Sequence, residues 1–282
     1  MRPRIVEFLT GLIHFQGINY LVPTGLTIYF LAVITIFLVF YSRCRKAGLP
    51  EVRTIGVAFF AIISGIIGVR LFSILENLFI FGTKPEVIFT LGGSTTSWGA
   101  YIFGTLAFCL YLVYYRQPLL NYMDILGASL GLGPFIGRWA CFFNGCCYGK
   151  ITDVFWAVRY PQYSPAHNAH WKAGLINLET PLSLPVHPVQ IYASFSALCV
   201  YILVSKIYLR YSNKPGITIT SYGLLYGATR FFIEFFRADV PRHTLLALTL
   251  GQFMCLLLFI LSTGALWLFI KRDTANRNRP VI

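Results

Sequence analysis

Charged residues are scarce in this chain, and acidic residues are the scarcest of them. Only 12% of the 282 residues are charged, with 10 Asp and Glu against 23 Lys and Arg. Soluble domains carry about twice that charged fraction, so the composition excludes an ordinary water-soluble domain. The chain also lacks a basic stripe interleaved with aromatic residues, which argues against nucleic acid as the partner of its net charge of +13.

Long apolar runs take the place of the missing charge, and 56% of the residues are hydrophobic. A helix that crosses a bilayer needs about 20 predominantly apolar residues. The runs predict an all-α, polytopic integral membrane protein with about seven transmembrane helices, preceded by an amphipathic, interfacial N-terminal segment at 1–19. The predicted spans are 20–42, 55–80, 97–115, 122–144, 188–208, 217–237 and 246–270.

The basic residues between the runs predict an orientation. One side holds Arg43, Arg45, Lys46, Arg53, Arg116, Lys206, Arg210, Lys214, Lys271, Arg272, Arg277 and Arg279. The other side holds Arg2, Arg4, Lys84, Lys150, Arg159, Lys172 and Arg242. Because cytoplasmic loops carry the excess of Lys and Arg, we expect the C-terminus in the cytoplasm and the N-terminus outside. The transmembrane domain then covers 20–270, with a long outer loop at 145–187 and a basic cytoplasmic tail at 271–282.

Five ionisable residues fall within or at the ends of the predicted spans: Arg70, Arg138, Arg230, Glu234 and Arg237. Each costs about 3 kcal/mol at a helix centre. The spacing of Arg230, Glu234 and Arg237 places them on one helical face with a surplus positive charge. Glu234 can orient a guanidinium group. The N–H donors that it leaves unused, together with the guanidinium of Arg138, can then bind phosphate oxygens. The pattern predicts either a site for an anionic headgroup or structural pairing between helices.

Two further motifs supply polar groups near the predicted outer side. In HPVQIY, Pro188 suits the first turn of a helix. His187 before it is either a general base near neutral pH or simply a hydrogen-bonding residue, with Gln190 and Tyr192 nearby. In LGGSTTSWG, the two glycines at 92 and 93 permit a tight turn before the third span, and Gly99 allows a helix or a lipid to approach closely.

Three cysteines cluster in GRWACFFNGCCYG: Cys141, Cys146 and Cys147. Their spacing does not match the paired C-x-x-C pattern of zinc sites. Four interpretations remain open: packing of small side chains at a crowded helix end, a disulfide from Cys141 to either of the others, a zinc site shared with His167 and His170, or a thiolate nucleophile.

These motifs, in this order, resemble the signature of the phosphatidylglycerol–prolipoprotein diacylglyceryl transferases. The Gly-Arg followed by Asn-Gly and a further glycine is present as Gly137, Arg138, Asn144, Gly145 and Gly149. HPVQIY is similar to the family's H-P-x-Q-x-Y, and RFFIEFFR to its R-F-x-x-E-x-x-R. GVRLF resembles the G-x-R of its second helix and makes Arg70 a counterpart.

The resemblance implies a bacterial plasma-membrane enzyme that moves the diacylglyceryl group of phosphatidylglycerol, or of another anionic phospholipid, to a cysteine thiol of a lipoprotein precursor. Glycerol phosphate is released, and no metal or organic cofactor is needed. The implied catalytic residues are Arg138, Arg230, Glu234 and His187. The implied substrate- and phosphate-binding residues are Arg138, Arg70, Arg237, Asn144, Gly145, Gln190, Tyr192 and Gly99.

Three positions depart from the family pattern. Trp98 stands where the family has a histidine, Cys141 where it has an asparagine, and Cys146 where it has an acid. We therefore expect His187 or Glu234 to supply the base, or the chain to be a divergent relative with another acceptor. A non-catalytic phospholipid-binding or transport protein and a redox protein that uses the cysteines are the remaining hypotheses.

Overall fold

The computed structural model describes residues 24–79, 98–240 and 248–277. The predicted interfacial segment at 1–19 and the glycine turn at 92 and 93 lie outside the described residues, as does the end of the predicted tail after Arg277.

Within those ranges the chain forms nine α-helices, and the predicted all-α class is confirmed. They are α1 (Thr24–Lys46), α2 (Glu51–Phe79), α3 (Trp98–Tyr114), α4 (Leu119–Leu130), α5 (Leu132–Asn144), α6 (Pro165–Lys172), α7 (Val189–Tyr211), α8 (Ile217–Glu234) and α9 (Leu250–Arg277). Every predicted span coincides with a helix, and the fourth coincides with α4 and α5 together. The short α6 lies inside the predicted outer loop.

Among the described residues, five stretches are long and apolar enough to cross a membrane, which confirms a polytopic membrane protein. They are Gly25–Lys46, Glu51–Leu75, Leu119–Asn144, Val189–Tyr211 and Leu250–Arg272. Helix α3 is apolar but has only 17 residues, and α8 is not among the five. The count of seven spans therefore stays a prediction. Large apolar side chains such as Phe30 and Leu209 are 67% and 78% exposed, as lipid-facing residues are.

The fourth predicted span is the most enclosed of the five. Half of its apolar window is buried, whereas the other four have 28% or less. Its glycines explain part of this burial: a Cβ on Gly131 would lie 2.8 Å from the Cβ of Tyr201 on α7. Small residues let neighbouring helices approach closely in membranes, and α5 packs against α7 accordingly.

The chain divides into two compact units. One covers residues 37–123, where α2 and α3 pack along each other. In the other, α7 packs against α5 and α8, and α8 packs against α9. Buried Asp124 joins α4 to the start of α8, because its carboxylate accepts hydrogen bonds from the N–H groups of Gly216 (2.7 Å) and Ile219 (2.8 Å). This cap satisfies backbone donors that the first turn of a helix leaves unpaired.

Candidate active site

A buried carboxylate at the end of α8 holds two arginines. Glu234 is only 3% exposed. One of its oxygens contacts Nη1 of Arg230, and Nη1 of Arg237 lies 3.2 Å from Oε1 and 3.3 Å from Oε2. The Thr249 hydroxyl lies 3.4 Å from Oε1 and donates to it. Each oxygen of this carboxylate therefore contacts two donors, which are arginine nitrogens or the Thr249 hydroxyl.

The arginine pair differs from the predicted arrangement in one respect. The sequence predicts a helix through residue 237, but α8 ends at Glu234 and the chain turns over Phe235 and Phe236. Arg237 consequently lies beyond the helix and returns to Glu234 through this turn. The structure brings together the three side chains that the spacing placed on one face.

Asp239 is a site residue that the sequence reasoning missed. Its Oδ1 and Oδ2 accept from Nε and Nη2 of Arg237, both at 3.0 Å, in a bidentate pair. Together with the bond to Glu234, this pair engages all three nitrogens of the guanidinium. Arg237 is thus clamped between two carboxylates. An acid two residues after an arginine, just past a helix end, was the available signal.

Arg138 on α5 lies near Arg230 on α8, close enough for their charges to interact. Both side chains are at least partly buried. Arg138, Arg230 and Arg237 carry three positive charges against the two negative charges of Glu234 and Asp239. Like charges brought together away from bulk water favour binding of an anion. The arrangement is therefore suited to a phosphate group.

Backbone hydrogen bonds join three distant segments beside this cluster. The N–H of Gly149 donates to the carbonyl of His187 (3.1 Å), and the N–H of His187 donates to the carbonyl of Lys150 (3.0 Å). The N–H of Lys150 donates to the carbonyl of Phe236 (2.8 Å). A Cβ on Gly149 would lie 2.5 Å from the His187 carbonyl oxygen, so only glycine fits there. We call these bonded segments, 148–150, 186–187 and 236–238, the backbone frame.

The frame holds His187 next to the turn that carries Arg237. Nδ1 of His187 lies 3.3 Å from the hydroxyl of Tyr192, which accepts a hydrogen bond from Nε1 of Trp156. Burial and the nearby charge of Lys150 lower the pKa of His187 below its usual value of about 6.5. The imidazole is therefore neutral at pH 7 and can accept a proton.

Gln190, Asn144 and Gly145 shape the turn after α5. Nε2 of buried Gln190 donates to the carbonyl of Cys146 at 2.7 Å. Gly145 adopts a left-handed conformation (φ 67°) that ends the helix. The exposed Asn144 side chain lies over Gly25 of α1, where an added Cβ would lie 2.6 Å from its Nδ2. These contacts position the turn, while binding of substrate by these residues stays a prediction.

Two predicted binding residues, Arg70 and Gly99, belong to the unit formed by residues 37–123. Arg70 is partly buried on α2. Gly99, next to Trp98 at the start of α3, meets the backbone of Gly68 on α2 so closely that a side chain has no room. Gly99 thus allows two helices to pack, and the proposed contacts of Arg70 and Gly99 with lipid stay predictions.

A comparison with known protein families assigns the chain to one of them. The family model described as prolipoprotein diacylglyceryl transferase matches residues 25–268. The chain belongs to this family. The resemblance inferred from the motifs is thereby confirmed, and with it the assignment to a family of transferases.

Several curated relatives carry the same name. Phosphatidylglycerol–prolipoprotein diacylglyceryl transferase of Clostridium tetani is 30% identical over 232 residues, covering 82% of this chain and 86% of the relative. The transferase numbered 2 of Clostridium perfringens is 29% identical over 240 residues, covering 84% and 86%. The transferase of Thermotoga petrophila is 28% identical over 215 residues, covering 73% and 69%.

The three clustered cysteines, two of which depart from the family pattern, do come together. The Sγ atoms of Cys141, Cys146 and Cys147 lie within 4.8 Å of one another, the one such group of potential metal ligands among the described residues. All three are free thiols. The two loop histidines are not part of the group, because His167 Nε2 lies 2.7 Å from the Thr180 carbonyl and His170 Nδ1 accepts from the Leu184 N–H. The proposed mixed Cys and His zinc site is therefore not assembled.

Proposed function

We propose that the protein transfers the diacylglyceryl group of phosphatidylglycerol to the cysteine thiol of a prolipoprotein, with release of glycerol phosphate. The observation that carries the proposal is the surplus positive charge of Arg138, Arg230 and Arg237 over Glu234 and Asp239. The names of the relatives specify the same donor and acceptor.

The chemistry requires a positive site for the leaving group. The acceptor thiol loses its proton, and the thiolate sulfur forms a bond to the glyceryl carbon. The bond between that carbon and the phosphate oxygen breaks, and its electron pair leaves with glycerol phosphate. One negative charge thus moves from sulfur to phosphate. Fixed donors aimed at a developing charge are the largest single contribution in many enzymes, and Arg138 and Arg230 are suited to that role.

The carboxylates and the histidine have different roles in this proposal. Glu234 already contacts both Arg230 and Arg237 and accepts from Thr249. We therefore assign it the positioning of the guanidinium groups. His187 is neutral at pH 7 and takes the thiol proton, because a proton acceptor near neutral pH is what thiolate formation requires.

We also propose that the protein lies in the bacterial plasma membrane with its N-terminus outside and its C-terminus in the cytoplasm. The last turn of α1 carries Arg43, Arg45 and Lys46, as the cytoplasmic end of a span does. The predicted outer loop exposes Trp156 (48%), a residue type that is enriched at membrane interfaces. A reporter that is active only outside the cytoplasm should be inactive when it is fused to the C-terminus. An active fusion would show that the orientation is the opposite of the one proposed.

A transfer assay tests the function. The full chain in vesicles that contain labelled phosphatidylglycerol should lipidate a lipobox peptide through its cysteine. Arg138→Gln should lower the rate by about 10²–10³-fold, the usual cost of removing one such donor. Arg210→Gln is the matched control, since Arg210 is an exposed arginine at the end of α7. If folded Arg138→Gln retains the wild-type rate, the proposed phosphate site is wrong.

A related transferase with a different acceptor is the second candidate. Trp98, Cys141 and Cys146 replace the histidine, asparagine and acid of the family pattern, and such replacements favour a changed acceptor. Consumption of phosphatidylglycerol with a membrane extract, but without lipidation of the peptide, would favour this candidate. Movement of lipid between leaflets without covalent change would favour transport instead.

A further inference from the structure

The turn after α5 folds two cysteines back over a third. Gly145 reverses the chain, and the N–H of Cys146 donates to the carbonyl of Cys141 at 3.1 Å. Cys147 then adopts a positive φ of 57°, which is uncommon for a residue with a side chain. The result is that three thiols, separated by up to six positions in sequence, share one small volume at a helix end.

The spacing of the three sulfur atoms matches a metal centre. Zinc binds thiolates at about 2.3 Å, so two sulfurs on a tetrahedral ion lie about 3.8 Å apart. The Sγ atoms already lie within 4.8 Å of one another. The distances between the sulfur atoms therefore exceed the tetrahedral spacing by at most about 1 Å.

Buried polar atoms beside the thiols point to a ligand rather than to apolar packing alone. Gln190 is 1% exposed and Tyr160 is 4% exposed. Oε1 of Gln190 and the hydroxyl of Tyr160 are neighbours, but among the described residues neither atom makes a hydrogen bond of good geometry. Gln190 contacts the carbonyl of Cys146, and Tyr160 lies within electrostatic reach of all three thiols. Buried polar groups normally find partners, and a metal-bound water in the fourth position would supply them.

Two neighbouring side chains suit a thiolate centre. The hydroxyl of Tyr29 lies 3.2 Å from Sγ of Cys141 and can donate to it once the sulfur is ionised. Arg138, one helical turn before Cys141, lies close enough for its charge to act on that sulfur. A divalent ion with three thiolates has a net charge of −1, and the nearby positive charge of Arg138 lowers the cost of burying it.

We propose that Cys141, Cys146 and Cys147 form a binding site for one thiophilic metal ion, and that the ion is Zn²⁺. Three sulfur donors without a carboxylate favour zinc over Mg²⁺ or Ca²⁺, which prefer oxygen ligands. The site goes beyond the proposed transfer reaction, in which zinc has no chemical role.

Metal titration of the full chain in detergent tests the site. Reduced, metal-free protein should bind one equivalent of Zn²⁺ in competition with a chromophoric chelator, and Co²⁺ should give a sulfur-to-cobalt charge-transfer band. Cys141→Ser, Cys146→Ser and Cys147→Ser should each weaken binding by at least about 100-fold, because removing even an outer-shell partner costs about 10–100-fold. Cys199→Ser, at an exposed cysteine on α7, is the matched control and should bind like the wild type.

A second measurement uses the wild-type protein and therefore tests the site even if the cysteine variants fail to fold. Zinc should protect the three clustered thiols of the wild-type protein from alkylation, detected by mass spectrometry, while the extent of Cys199 alkylation is the same with and without zinc. The proposal would be overturned by equal alkylation with and without zinc, or by unchanged zinc binding in a triple Cys→Ser variant. It would also be overturned if the isolated protein contained a disulfide and took up no zinc after reduction. None of these measurements uses transferase activity, so their outcome is independent of the proposed function.

Discussion

Glu234→Gln is the substitution that most directly tests how the candidate site is held. The exchange keeps the shape of the side chain but removes the negative charge between Arg230 and Arg237, whose side chains are only 12% and 14% exposed. Removing one partner of a buried ion pair costs about 3–5 kcal/mol. The amide oxygen still accepts one hydrogen bond and Asp239 still holds Arg237, so we expect the lower end, about 3 kcal/mol, or more than about 100-fold in the folding equilibrium.

Unfolding of the purified protein in mixed micelles measures this loss, and the transfer assay measures its consequence. Because Arg230 loses the carboxylate that orients it while Asp239 still holds Arg237, kcat should fall more than substrate binding, and Glu234→Asp should restore part of the rate. Glu179→Gln, at an exposed acid of the outer loop, should stay within about 0.5 kcal/mol of the wild type. A Glu234→Gln protein with wild-type stability and rate would refute the positioning role.

Three further predictions concern the frame, the base and the α8 cap. Gly149→Ala should destabilise the protein by about 1–3 kcal/mol through overpacking and lower activity by displacing His187, whereas Gly264→Ala, where a Cβ meets open space, should not. Because its pKa lies below the usual value, His187 is protonated only at acidic pH, so activity should fall as the pH drops through that pKa. Lys150→Gln removes a charge that lowers this pKa, so the loss of activity at low pH should begin at a higher pH. If His187→Gln lost activity at low pH just as the wild type does, the assignment of His187 as the base would be wrong. Asp124→Asn should cost about 1–2 kcal/mol of stability through the weakened cap, measured by thermal unfolding, with activity at permissive temperature retained.

Local patterns predicted the helices and part of the site. Apolar runs give helices because a bilayer leaves backbone groups no other partners, and the helical repeat brings Arg230 and Glu234 to one face. The boundary at Glu234 was not predictable, because the apolar and aromatic character of the sequence continues through Phe235 and Phe236 while the chain turns. Asp239 was missed for the same reason: its contact with Arg237 forms only once the chain has left the helix.

Contacts between distant segments were beyond the sequence alone. Hydrogen bonds from Gly149 to His187 and from Lys150 to Phe236 join residues more than 35 positions apart, and no periodicity encodes such pairs. The glycine after the Asn-Gly turn was recognised from the family pattern, but its physical reason, the absence of space for a Cβ, required the structure. The cysteine cluster was visible as a pattern, whereas the exclusion of His167 and His170 from it was not.

The backbone frame has a consequence for how this protein can diverge. Peptide groups rather than side chains connect the segments that carry Lys150, His187 and Arg237, and a peptide group is the same whatever residue bears it. Except at Gly149, where no side chain fits, side chains around the frame can therefore be exchanged over evolutionary time without dismantling the scaffold. Cys141 and Cys146, which stand where the family pattern has an asparagine and an acid, lie next to such a scaffold. A new chemical property can be acquired there while the arginine site and its framework are inherited intact.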